Sequence, residues 1–497
     1  MIEKMKKAKL PIICASAILL VSNAFMGANP VWIPAEEKVF TQTQENEELI
    51  RYDFLPETEM PLLGYVGIPP ANAGNADNPS INPSFMTRSN FQLYKDAGFN
   101  ILSGLYERDP IDRSEIVKAF KLCDEFGLKY FITDLKFRCD SQGGTVANKS
   151  QEYYNNLMNN LWYLDEPAFA GIAMKDEPSA KDLDDMGKVN IALKAKTDGK
   201  IAYTTLFPNK VASNRLYLDD NSGTEWEKYC RYVEKYLNVV DPDVLCYDYY
   251  AFFKKGGTLD NTYNASDLDA VKRNAGKSNM EDYWLSLSYF SNLAKEHNVP
   301  MWVSVATRDH NRKTLHYYKQ INWQVNTSLA YGAKGIQYYH YWTLMGGTGP
   351  EDWDNLTRGG MTTVNGTPHD VYYQIKKINQ NIKMVDDVLM VSDHKGLIRC
   401  GAVDFIIQEK DLLYGYDVLS SVSGGDAIVG CFDNNGKSVY YIVNNSISSG
   451  TKTFKADFNK KVNVRLTNLS DGVRTASDVY SVGFNLSAGD AVLLEVL

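Results

Sequence analysis

The stretch Phe169-Ala-Gly-Ile-Ala-Met-Lys-Asp-Glu-Pro178 decides how the chain reads. Its apolar run, Phe169–Met174, has the length and small-residue content of a buried strand. Asp176 and Glu177 then fall at its C-terminal tip, ahead of a proline that stops further strand pairing. The same three letters occur earlier, at Asp165-Glu166-Pro167, after the helical segment 151–164. There they read as a helix-ending turn, so the preceding run, and not the tripeptide, carries the information.

Outward from this run, short apolar or aromatic stretches alternate with amphipathic ones. Eight runs are expected as strands: Leu62–Ile68, Phe99–Leu105, Leu128–Asp134, Phe169–Asp176, Lys200–Leu206, Asp243–Tyr249, Val299–Ala306 and Lys334–Tyr341. Helices are expected over 83–97, 113–126, 150–164, 180–196, 225–237, 280–297, 312–331 and 371–390. Gly98, Gly127 and Gly332 follow three of these helices where a left-handed C-cap is needed. Strict βα alternation over this length predicts a closed (β/α)8 TIM barrel in residues 61–392, an α/β fold. After residue 392 short strands and turns such as Asp433-Asn-Asn-Gly436 predict a small C-terminal antiparallel β-sandwich over 393–497.

The N-terminus sets Lys4, Lys6, Lys7 and Lys9 before the apolar run Leu10–Val21 and small residues near Ala28. That layout predicts a signal peptide over 1–28 and an exported protein, followed by a polar extension over 29–60. The apolar run is short and broken by serines, so cleavage is preferred to anchoring, and no later stretch is apolar enough for a transmembrane segment. Cys14 sits too early in the run to suit a lipoprotein. The six remaining cysteines lack metal-knuckle spacing and read as buried thiols. A net charge of −9 with no clustered basic face argues against nucleic acid as a partner. No phosphate loop, dinucleotide fingerprint or nucleophile elbow is present, the six histidines are dispersed, and neither a cofactor nor a metal is expected.

A barrel gathers the residues at its strand ends around one mouth. The acids expected there are Glu107, Asp134, Asp176, Glu177, Asp248 and Asp309. Such crowding suits glycosidic bond cleavage, which uses one protonated and one ionised carboxyl group. Alternation along the fourth run puts Ala173, Lys175 and Glu177 on one face, making Glu177 the candidate acid, with a salt bridge to Lys175 or Arg308 as its plainer role. The second carboxylate is Asp248 or Asp309. Parity favours Asp248, which shares the face of Val244 and Cys246, and turns Asp309 away, where holding Arg308 or capping the next helix is its plainer role. Tyr65, Tyr250, Tyr339, His340 and Trp342 supply rings and donors near the same mouth, and with Glu107, Asp134, Asp176 and Arg308 they are the candidate sugar contacts. Core filling is the alternative for many of these rings.

The step Asp176-Glu177-Pro178, the step Asp248-Tyr249-Tyr250, and Ala330-Tyr-Gly-Ala-Lys-Gly-Ile-Gln-Tyr-Tyr-His-Tyr-Trp342 together resemble bacterial exported glycoside hydrolases of the clan-A type and their beta-galactosidase-like relatives. The ending Ser487-Ala-Gly-Asp-Ala-Val-Leu-Leu-Glu495 is similar to the last strands of the sandwich that follows many such barrels. The resemblance implies an acid/base Glu at the end of the fourth strand, which falls on Glu177 with Asp176 in place of the family's Asn. It also implies a nucleophilic Glu ending the seventh strand, where this chain has Thr307-Arg308-Asp309. An inverting reaction, a nucleophile on another strand, and lost activity all stay open. The expected function is hydrolysis of an oligo- or polysaccharide; the rival is a non-catalytic carbohydrate-binding protein on a degenerate glycosidase barrel.

Overall fold

The computed structural model describes residues 52–71, 84–105, 107–139, 148–251, 277–307, 317–343, 360–401, 409–447 and 450–497. The signal-like stretch lies outside these residues, as do Arg308 and Asp309.

The first sheet runs β1 (Leu62–Tyr65), β2 (Ile101–Ser103), β3 (Lys129–Ile132), β4 (Phe169–Ala173), β5 (Ile201–Tyr203), β6 (Thr205–Leu206), β7 (Leu245–Asp248), β8 (Met301–Ala306) and β9 (Gly335–Tyr339). Its order is β5-β4-β3-β2-β1-β9-β8-β7-β6, every pair parallel. The two ends of that path, β5 and β6, are one run of chain interrupted at Thr204. Its first half pairs with β4 and its second with β7, so the ring closes and the eight expected runs form a barrel.

Around the ring lie α1 (Arg88–Asp96), α2 (Arg113–Phe126), α3 (Gln151–Asn159), α4 (Leu183–Lys194), α5 (Glu225–Val240), α6 (Lys277–Glu296), α7 (Tyr317–Ala330) and α8 (Asp370–Ile382), with a short α9 (Asp386–Leu389). Their local reasons are visible. In α2 the residues Ile116, Ala119, Phe120 and Cys123 recur at helical spacing and are buried, and Gly127 ends the helix at φ 60°. In α5 Thr224 and Glu227 form a reciprocal capping box ahead of a face of Tyr229, Tyr232, Val233 and Tyr236. The turn holding Asp165-Glu166-Pro167 connects α3 to β4, with the Phe169 N–H bonded to Glu166 O at 2.8 Å.

The barrel interior is filled, not hollow. Phe131, Tyr203 and Trp302 pack as a ring layer with centroids 5.2 to 6.4 Å apart. Beneath them Tyr52 and Phe54 close the strand-start end: Tyr52 meets Trp302 at 5.9 Å and Phe54 meets Phe131 at 5.6 Å. Residues 52–60, expected to be part of a polar extension without a fold of its own, thus supply the barrel's plug. Their apolar side chains find a partner only once the ring has closed, which sequence periodicity does not register.

The second sheet contains β10 (Asp393–Cys400), β11 (Leu412–Leu413), β12 (Leu419–Ser423), β13 (Ala427–Asn434), β14 (Lys437–Asn444), β15 (Lys452–Asn468), β16 (Gly472–Leu486) and β17 (Ala491–Val496). It is antiparallel except for the β10–β11 pair. Ala427, Val429, Cys431, Tyr440, Ile442, Val492 and Leu494 face its own core. The alternate residues Ile428, Phe432, Val439, Tyr441, Val443 and Leu493 join the barrel's core instead. Both faces of the central strands are buried, which explains their near-continuous apolar runs. Polar groups fix the seam: Trp323 Nε1 donates to Asn445 Oδ1 at 3.0 Å, Asn322 Nδ2 to Asp490 Oδ1 at 2.9 Å, and Tyr441 to Asn326 Oδ1 at 2.7 Å. The buried Lys334 ammonium donates to the carbonyls of Leu389, Met390 and Ser392, and burial pushes it down to about 7. The six cysteines from Cys123 to Cys431 are free thiols, all but Cys230 buried.

Candidate functional site

Strand ends converge on a cavity of about 240 Å3 lined by Tyr65, Asp176, Tyr203, Thr205 and Tyr339, among others. Its floor is a polar network. Tyr203 donates to Gln337 Oε1 at 2.6 Å, and Gln337 Nε2 donates to Ser304 Oγ at 2.9 Å and Thr205 Oγ1 at 3.2 Å. The walls are aromatic: Tyr339 lies 6.0 Å from Tyr65 and stacks on Tyr250 at 5.5 Å with 21° between the planes.

Alternation is interrupted inside the fourth run, where the ladder to β3 shifts register at Gly171, so that Ala170 and Ala173, three apart, both pack toward the lumen. Ile172 joins the surrounding core, and Met174, though buried, also lines the cavity. β4 ends at Ala173, and Glu177 has a left-handed backbone at φ 46°, its N–H bonded to Thr205 O at 2.9 Å. That bend puts Asp176 on the cavity wall. Glu177, less exposed than Asp176, is paired with Arg215, Nη2 to Oε2 3.2 Å. The Lys175 ammonium pairs with Asp182 at 3.0 Å, and Arg308, the other partner expected for Glu177, lies outside the described residues. On β7 parity holds to the end: Val244 and Cys246 face the lumen, and Asp248 follows them, 7% exposed.

The three carboxyl groups act on one another. Asp176 is exposed at the cavity; desolvation at the mouth and the charge of Glu177 push it up to about 7, while a hydrogen bond from Tyr65 opposes the shift. Burial pushes the Asp248 carboxyl well above the usual range, helped by the charges of Glu177 and Asp176. The Tyr250 hydroxyl and the Lys210 ammonium pull the other way. Burial also raises Glu177, but Arg215 counters it, so Glu177 has the best claim to stay ionised. The charge of Glu177 raises both Asp176 and Asp248, so the three carboxyl groups titrate as an interacting set.

The other strand-end acids lie elsewhere. Glu107 is 1% exposed, and its carboxyl accepts from Tyr130, from the Leu105 N–H at 2.9 Å and from the Thr133 N–H at 3.0 Å. Asp134, equally buried, accepts from Tyr163 at 2.8 Å and from the Lys136 N–H at 3.0 Å. Glu107 ties the end of β2 to β3, Asp134 ties the end of β3 to Tyr163, and neither lines the mouth cavity. His340 is fully buried, with Nδ1 2.7 Å from Trp342 O, and Trp342 packs on Phe85 at 5.0 Å; both belong to the shell behind the mouth. Arg215 was not among the expected residues, since a lone arginine in a polar loop carries no signal. Among the described residues no group of His, Cys, Asp and Glu is arranged to hold a metal, and no helix is long and apolar enough to cross a membrane.

No family model and no curated protein matches the chain. Solved structures similar to it include an Anoxybacillus alpha-amylase, 11% identical with a TM-score of 0.47 over 89% of this chain and 98% of that one. An alpha-amylase from Geobacillus thermoleovorans complexed with acarbose is 12% identical, with a TM-score of 0.44 over 89% and 98%. A glycoside hydrolase family 30 subfamily 8 xylanase from Clostridium acetobutylicum is 11% identical, with a TM-score of 0.42 over 88% and 95%. At these scores the likenesses transfer neither activity nor residue roles; the barrel is established by its own strand ladder.

Proposed function

We propose that the chain is an exported glycoside hydrolase that cleaves an oligo- or polysaccharide by two-carboxylate acid/base chemistry. One observation carries the reading: Asp176 faces an aromatic-walled cavity at the barrel mouth and holds its proton up to about 7, beside Glu177, whose charged form the Arg215 guanidinium favours against the upward push of burial. In the reaction the Asp176 proton goes to the glycosidic oxygen as the bond to the anomeric carbon breaks. Water adds to that carbon, and its proton passes to the ionised member of the cluster. Glu177 suits the ionised role better than the acid role read from strand parity, because a guanidinium partner favours the charged form. Asp248, buried and with its carboxyl pushed well above the usual range, suits a positioning role. Tyr65 and Tyr339 offer faces to the sugar ring, and the hydroxyls of the floor offer partners to its oxygens.

A carbohydrate binder without turnover is the second reading, favoured by the fact that neither Glu177 nor Asp248 lines the cavity. Incubation with plant, host and microbial glycans, with products followed by NMR, separates the two. Hydrolysis that Asp176→Asn abolishes is the expected result; binding with no product from any glycan would overturn the hydrolase.

A further inference from the structure

The connection between β6 and α5 carries a second hollow. It is an open basin of about 440 Å3 lined by Lys181, Ser213, Asn214, Tyr217, Leu218 and Asn221. We propose that this basin is a distal sugar subsite, which receives a neutral stretch of the same glycan chain that is cut at Asp176. The proposal rests on the hydrolase reading above and names its substrate class: a chain long enough to occupy both hollows.

Continuity is the first argument. The short helical turn Ser213–Arg215 contributes Ser213 and Asn214 to the basin, while its Arg215 pairs with Glu177, the residue next to cavity-lining Asp176. The Ala180 N–H bonds Leu216 O at 2.8 Å, knitting the segment after Pro178 to the basin loop. A chain leaving the first cavity over the Glu177–Arg215 pair therefore runs onto the basin.

Chemistry is the second. Tyr217 is 40% exposed and has a left-handed backbone at φ 50°, unusual for a ring-bearing residue, and the Lys181 ammonium lies 5.4 Å from its ring centroid. An exposed ring beside two amides and a hydroxyl offers a stacking face plus donors and acceptors, as sugars require, and none of the six lining residues is acidic. Size is the third. The first cavity, about 240 Å3, lies below the roughly 300–1,000 Å3 usual for ligand sites, so a longer substrate must be held outside it.

The test measures binding of cellohexaose, xylohexaose, maltohexaose, laminarihexaose and an acidic control, a galacturonic acid hexamer, to the full chain carrying Asp176→Asn, by calorimetry. At least one neutral hexamer should bind, with Tyr217→Ala in that background weakening it about fivefold and Tyr217→Phe retaining it. Equal binding by the Tyr217→Ala protein, binding of the acidic hexamer alone, or no binding overturns the basin. Thermal melts confirm that each variant is folded. If the unsubstituted protein still hydrolyses a glycan while Tyr217→Ala has no effect on binding, only the basin falls. If Tyr217 matters for binding while the Asp176→Asn protein hydrolyses at full rate, only the role of Asp176 falls.

Discussion

Two pairs of strand-end acids, alike in sequence, have opposite surroundings. At the ends of β2 and β3, Glu107 and Asp134 are met by hydroxyl and backbone donors and sealed from solvent. At the ends of β4 and β7, Asp176 opens to a cavity and Asp248 leaves Oδ1 without a hydrogen-bond partner among the described residues. Being acidic and at a strand tip is common to both pairs. What differs is access: a carboxyl group sealed among its donors is a brace, and one that opens to a cavity or keeps an oxygen unpartnered has free capacity for substrate and proton.

The contrast can be broken most sharply at Asp176. Asp176→Asn should lower hydrolysis by about a hundredfold to ten-thousandfold, the usual worth of a positioned acid, as read by kcat/KM on a responsive glycan. Its stability should move the other way. A folded-state carboxyl raised to about 7 favours the protonated form, so its contribution is lost as pH rises from the ordinary carboxylate range through about 7. The variant should therefore melt higher than the parent above that pH and equally in acid.

Glu107→Gln is the opposite case. It puts an amide N–H where three donors already point, and should cost about 1–3 kcal/mol of stability in denaturant unfolding, with turnover per folded molecule retained. A large loss of turnover without loss of stability would erase the distinction between the pairs.

Arg215→Ala comes next, with an expected loss of about tenfold in kcat/KM. Without the guanidinium Glu177 is harder to ionise, so the acid limb of the pH profile moves up. A less charged Glu177 also pushes Asp176 up less, so the alkaline limb moves down, and the bell narrows. The smallest effect belongs to Tyr65→Phe. Removing a hydrogen bond that holds Asp176 down should shift the alkaline limb slightly upward.

The barrel was legible because its signals are local. Helix ends at Gly98, Gly127 and Gly332 have the positive φ expected, and strand cores fall inside the expected runs. Parity placed Val244, Cys246 and Asp248 correctly because β7 stays regular to its last residue. It misled at Glu177 because β4 stops at Ala173, and four residues of non-strand backbone follow before the left-handed turn is complete. Arg215, the plug at Tyr52 and Phe54, and the seam between the two sheets escaped notice for one shared reason. Each gets its meaning from a partner distant in the chain, and periodicity reports only neighbours.

The central claim is that Asp176 carries a proton near neutrality at the cavity wall. The most direct check is a carbon-13 NMR titration of the aspartate side-chain carboxyl signals in the parent and in Asp176→Asn. The expected result is a resonance with a midpoint at about 7 that is missing from the variant. If the resonance lost from the variant titrates instead within the ordinary carboxylate range, Asp176 is ionised when the proposed reaction needs it protonated, and the assignment is contradicted.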